Sequence, residues 1–169
     1  MAESYPTLNG EAQSWTNIRV AITPYDGTEL DAADLSDISW SGTIEVGEQR
    51  MTGGRLKART AGMPKCEAKA TFYADGYDRL IDALAKVAIA KGFVNAAGAA
   101  RIALVKFDVL IMHTPIDQST IKSVLLEGCR LLTDSASMSE GTDADKLEVS
   151  LNPVEVTRTT TTGQKVVLL

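Results

Sequence analysis

Histidine and cysteine are scarce in this chain of 169 residues: His113 stands alone, and Cys66 and Cys129 are the only cysteines. One imidazole and two distant thiols cannot readily supply a zinc site. No GxSxG accompanies His113, so a Ser-His-Asp triad has no sequence support, and the residue reads as a strand-end histidine at a turn. The cysteines sit at alternating positions of strand-like segments. They read as buried free thiols made in a reducing compartment, with a disulfide between them as the alternative. Positive charge is also short, 17 Lys and Arg against 22 Asp and Glu, a net of −5. That balance argues against a nucleic-acid binder relying on net positive charge and against anchorage on anionic lipid. No apolar run approaches the roughly 18 residues that span a bilayer. The start, MAESYPTLNGEAQSW, shows neither the basic nor the apolar region of a secretory signal.

Other chemical signatures are missing as well. GEQRMTGG lacks the GxxxxGK[ST] of a phosphate-binding loop, and its glycines read as freedom for an arm. Asp143-Ala144-Asp145 with Glu140 lacks the spacing of a calcium loop and reads as a solvated turn. Trp15 and Trp40 read as core or interface residues. No catalytic, cofactor or metal constellation emerges, so an enzyme assembled from Asp, Glu, Ser and Thr has no spacing behind it.

What is present is β-patterning, and it centres on residues 37–75. In Asp37–Val46, Ile38, Trp40, Ile44 and Val46 alternate with Ser39, Ser41, Thr43 and Glu45. In Cys66–Ala74, Cys66, Ala68, Ala70, Phe72 and Ala74 alternate with polar residues. A period of two places such sets on opposite faces of a sheet. Residues 47–65 between them read as a long polar arm, far longer than a hairpin turn, carrying Arg50, Gly53, Gly54, Arg55, Lys57, Arg59 and Lys65. An arm with few large apolar residues builds no core of its own, and we expect it to order on another copy of the protein.

Taken in order, residues 1–14 read as an N-terminal arm and Trp15–Thr23 as the first strand. Pro24-Tyr25-Asp26-Gly27 reads as a turn. An acidic loop follows, with Asp26, Glu29, Asp31, Asp34 and Asp37. Tyr77, Leu80, Ile81, Leu84, Val87 and Ala88 keep a helical period, so a helix runs over Tyr77–Lys91 with Asp75 as a cap and Gly92 at its end. Its single apolar face should lie on a sheet. Arg101–His113 and Thr120–Ser135 read as long strands, with a bend or bulge at Gly128. Residues 137–144 read as a polar turn. Lys146–Thr157 reads as a strand with an edge or bend at Pro153. The apolar end Val166, Val167, Leu168 and Leu169 should dock on this subunit or a neighbour. The helix does not alternate with the strands, which disfavours a parallel sheet. The expected fold is mainly β (α+β): an antiparallel β-sandwich or barrel over residues 15–157 with one flanking helix and long extended arms, the last being residues 158–169.

Read together, several segments resemble bacteriophage tail tube proteins, the major tail proteins, whose fold the type VI secretion needle protein shares. The segments are Ser36–Gly54 (SDISWSGTIEVGEQRMTGG), Arg59–Gly62, the strand and helix after it, Phe107–Pro115 (FDVLIMHTP) and Glu140–Pro153 (EGTDADKLEVSLNP). The resemblance covers about Ile18 to Pro153. It implies a structural virion protein, not an enzyme, whose hexameric rings stack into a hollow tail tube, with the arm at 47–65 packing between rings. It also implies partners. A tape-measure protein and transiting double-stranded DNA occupy the lumen, tail-tip or baseplate initiators and terminators cap the tube, and a sheath surrounds it where the tail contracts. The protein would reside in the virion tail after assembly in the bacterial host cytoplasm. A tail-terminator or head–tail connector ring is the close alternative. A monomeric barrel that binds a small ligand under the arm as a lid is a more distant one.

One expectation comes from charge alone. Acids concentrate in Asp26–Asp37 and bases in Arg50–Lys65. The basic arm of one subunit can therefore meet the acidic loop of another, setting register more than affinity. The alternative is that both runs are simply solvated.

Overall fold

The computed structural model describes residues 7–8, 11–12, 18–25, 27–32, 34–52, 56–113, 122–137, 145–160 and 162–167. Asp26, Gly53, Gly54, Arg55, Leu168, Leu169 and all of the turn expected at 137–144 but Ser137, which ends a strand, lie outside the described residues.

The expected mainly β architecture is present: among the described residues there are two larger antiparallel sheets, a separate two-stranded pair and one α-helix. In chain order the strands are β1 (Thr7–Leu8), β2 (Glu11–Ala12), β3 (Ile18–Pro24), β4 (Leu30–Asp31), β5 (Leu35–Arg50) and β6 (Leu56–Tyr73). Helix α1 (Ala74–Ala90) and a 3-10 turn (Ile102–Leu104) follow. The remaining strands are β7 (Phe107–His113), β8 (Lys122–Cys129), β9 (Leu131–Ser137), β10 (Lys146–Leu151), β11 (Glu155–Thr159) and β12 (Lys165–Val167). A four-stranded sheet has the order β5-β6-β10-β9, and a six-stranded sheet the order β12-β11-β8-β7-β3-β4. β1 and β2 pair only with each other.

The chain passes between the two sheets from β4 to β5, through α1 to β7, and at two adjacent corners. The expected long strand over 120–135 is broken at Arg130: β8 belongs to the larger sheet and β9 to the smaller. Gly128 makes the bend, with φ +67, and its N–H donates to Asp108 Oδ1 at 2.8 Å. The expected strand over 146–157 likewise divides at Pro153 into β10 and β11. Val154 N–H donates to the Glu127 carbonyl at 2.8 Å, so the two corners lie side by side. Strands that change sheets by bends and bulges form such corners.

α1 leaves β6 without a loop, three residues earlier than its apolar period announces. Tyr73 is the N-cap and makes no side-chain cap, so Asp75 does not cap the helix but sits in its first turn, where a carboxylate suits the helix dipole. At the other end Gly92, with φ +72, closes a Schellman turn: its N–H donates to Ile89 O at 3.0 Å, and that of Phe93 to Ala88 O at 2.8 Å. Tyr77, Leu80, Leu84, Val87 and Ala88 are buried, and α1 packs against β3, β6 and β10. The apolar face therefore covers the core where the sheets meet, alongside Phe107, Val109, Leu126, Val149 and Val156.

The expected strand over 101–113 is shorter than its pattern. Arg101 N–H donates to the Phe93 carbonyl, and the chain makes a 3-10 turn over Ile102–Leu104 before β7 starts at Phe107. Alternation alone cannot distinguish this tethered turn from a strand. Cys66 and Cys129 are buried free thiols, as expected. Burial pushes the Cys129 thiol up to about 12, aided by the negative charge of Asp108.

Candidate assembly surface

The described residues of the arm expected over 47–65 continue β5 and β6 as one antiparallel hairpin, paired from Leu35–Phe72 to Arg50–Leu56. The physical reason is that β5 and β6 satisfy each other's backbone groups, which needs no apolar core. Its two halves have different surroundings. Over Ala68–Tyr73, β6 lies between β5 and β10. Over Leu56–Glu67 it pairs with β5 alone, so the hairpin projects beyond the sheet as a two-stranded ribbon.

Exposure follows that division except at Cys66, buried on the ribbon side, and at Trp40, opposite Ala68 at the base. Cys66, Ala68, Ala70 and Phe72 are buried. Ile44, Val46 and Met51 are 49%, 52% and 51% exposed, and Trp40 is 39% exposed. A ribbon of two strands is at best marginally stable in water, and this one presents large apolar side chains to it. Polar contacts line the ribbon, two of them across the strands and one along β6. Arg59 Nη2 stands 3.8 Å from Glu48 Oε1, and Lys65 Nζ 2.8 Å from Glu67 Oε1. The Lys65 ammonium holds the Glu67 carboxyl below its usual range, while Glu67 raises Lys65. Thr60 Oγ1 donates to the Gly47 carbonyl at 3.3 Å. A bulge interrupts the register between Ile44 and Val46, and a Cβ on Gly62 would come within 1.9 Å of the Glu45 carbonyl oxygen. Gly62 is thus required by close approach of the strands.

The acidic loop is built differently from its expected open run of charge. Arg19 places Nη2 3.7 Å from Glu29 Oε1 and Nε 3.5 Å from Asp31 Oδ2. Arg79 from α1 pairs with Asp34. Asp37 is exposed at the start of β5. Sequence reasoning missed Arg19 and Arg79, because their proximity to the loop is a product of sheet pairing and helix packing. It also missed a cavity of about 230 Å³ where this loop lies between β6 and α1.

The basic positions divide as follows. Lys57 and Arg59 are exposed on the ribbon, and Arg50 is its last paired residue on β5. At the C-terminus, Val166 and Val167 belong to β12, which pairs with β11 at the edge of the larger sheet and leaves both side chains exposed. Among the described residues there is no group of His, Cys, Asp and Glu that could hold a metal ion, and no helix is long and apolar enough to cross a membrane.

No protein-family model matches this sequence, and no curated protein matches it significantly. Solved structures do share the architecture. The tube-terminating cap of the anti-feeding prophage superposes with a TM-score of 0.59 at 13% identity, covering 95% of this chain and 95% of that one. The sheath/tube terminator of the PVC extracellular contractile injection system gives a TM-score of 0.57 at 14% identity, covering 94% of this chain and all of the other. The SPP1 tail tube gives 0.55 at 11% identity, covering 86% of this chain and 77% of that one. These neighbours are structural components of tail-like particles. At such identities the likeness is one of architecture, and the chain has the tail tube protein fold.

Proposed function

We propose that this protein is a structural subunit of a phage-like tail, assembling into rings that stack as a hollow tube. The observation that carries the reading is the ribbon of β5 and β6, which extends beyond its sheet with Ile44, Val46 and Met51 exposed. A monomer gains little from such a ribbon, whereas a homopolymer can bury it. The free edges at β5, β9, β12 and β4 offer further strand-pairing surfaces. In this reading the rings are hexameric, and the lumen holds a tape-measure protein and then double-stranded DNA. Baseplate and terminator proteins bind the tube ends, with a sheath outside where the tail contracts. The residence is the virion tail, after assembly in the host cytoplasm. The ribbon over 47–65 is the inter-ring element and Val166–Leu169 a docking end. The role is not enzymatic.

A second reading is supported by coverage. The chain covers nearly the full length of a tube-terminating cap and a tube terminator, which supports a terminator ring as the second candidate. Negative-stain electron microscopy of the purified protein, raised in concentration, separates the two. Hollow filaments support the tube subunit. Single rings that do not stack support the terminator. A protein that stays monomeric and copurifies with a small molecule overturns both.

A further inference from the structure

The cavity beside the acidic loop is apolar inside and acidic at its rim. Ile22, Leu30, Phe72 and Leu80 line it from β3, β4, β6 and α1. Glu29, Asp31 and Asp34 stand at its edge. Arg19 pairs with Glu29 and Asp31, and Arg79, which also lines the cavity, pairs with Asp34, so three carboxylates meet two cations and a net charge of −1 remains. An occupant suited to this place has a flexible apolar tip and flanking positive charge.

The ribbon has both. Met51, 51% exposed, directly follows Arg50, the last paired residue of β5. Segment 47–65 carries five cations, Arg50, Arg55, Lys57, Arg59 and Lys65, against the single anion Glu48, a net of +4. An unbranched thioether adapts to an irregular apolar cavity, which a branched side chain does less well. The ribbon cannot serve its own cavity. β5 starts at Leu35, directly after rim residue Asp34, and Met51 is 16 residues further on. At about 3.3 Å per residue, that is about 50 Å.

We infer that the cavity between the acidic loop, β6 and α1 receives the Met51 tip of the β5–β6 ribbon from a second copy of this chain. Donor and acceptor then lie at opposite ends of one strand, so the contact is head-to-tail and repeats from copy to copy. The inference rests on the assembly reading above and specifies where its ribbon docks.

Cysteine cross-linking tests it. Glu29→Cys and Met51→Cys are placed in one chain, assembled, and oxidised mildly with copper–phenanthroline. Cys66 and Cys129 are buried and do not compete. The expected result is a ladder of disulfide-linked oligomers on a non-reducing gel. The pair Leu132→Cys and Met51→Cys, with its partner site on the edge strand β9, should give none. Met51→Asp is expected to lower the assembly constant about tenfold, equivalent to about 1.4 kcal/mol, with an unchanged melting curve, and Met51→Leu to retain assembly. If rings or filaments form without the ladder and Met51→Asp assembles like the parent, this docking site is wrong and the assembly reading stands. If the parent protein forms neither rings nor filaments, the assembly reading fails, and the docking site with it.

Discussion

The two halves of the β5–β6 hairpin share two strands and an alternating pattern, yet they meet opposite fates. Near its base, Ala68, Ala70 and Phe72 face α1 and the second sheet and are buried. Beyond Cys66, Ile44 and Val46 keep the same alternation and are about half exposed. The difference lies in the neighbours. β10 pairs with β6 only from Ala68 onward, and no second layer exists beyond that point among the described residues. An alternating strand specifies that it has two faces, and the surrounding structure decides whether either is covered. The base is therefore a folding element, and the distal ribbon is argued to be an assembly element.

Stability measurements can break or sharpen that contrast. The largest effect is expected in the core: Phe107→Ala, at a fully buried position, should cost about 3–5 kcal/mol in urea denaturation. Gly128→Ala comes next. It imposes a side chain at φ +67 and brings a Cβ to 3.0 Å from Val154 Cγ2, so about 1–3 kcal/mol should be lost at the corner between sheets. On the ribbon, Val46→Ser should change monomer stability by less than about 0.5 kcal/mol, while reducing the polymerised fraction measured by light scattering. A core-sized loss at Val46 in the monomer would erase the distinction between the halves.

A further effect, confined to alkaline pH, concerns Cys129. Its folded pKa is raised from 9.0 to about 12, so the folded state holds the thiol proton over that interval while the unfolded chain releases it. The stability this contributes is fully present below about pH 9 and is lost as pH rises towards 12. Cys129→Ser or Cys129→Ala should remove that part of the alkaline decline. A matching readout is iodoacetamide labelling at pH 8, expected to spare Cys129 until urea unfolds the chain.

Much of this was legible in the sequence, for local reasons. The helical period from Tyr77 to Ala88 located the one α-helix, because a stripe at spacing 3.6 has few other uses. Gly92, Gly128 and Pro153 marked an end and two bends. The pairing of residues 47–50 with 56–60 was not legible, because a strand that pairs only with its hairpin partner needs no apolar pattern. The acidic loop looked unpartnered because Arg19 and Arg79, which pair with it, lie on β3 and α1.

The sequence alone determined the mainly β class, the single helix, the absence of metal-ligand and nucleophile motifs, and the opposition of an acidic and a basic segment. Periodicity and composition are local properties, and these conclusions need nothing more. Only the tertiary structure decided which sheet each strand joins, where the hairpin leaves its layer, which cations meet the acidic loop, and that a cavity opens beside it. Each of these depends on contacts between residues far apart in the chain, and burial is set by the second layer that those contacts bring.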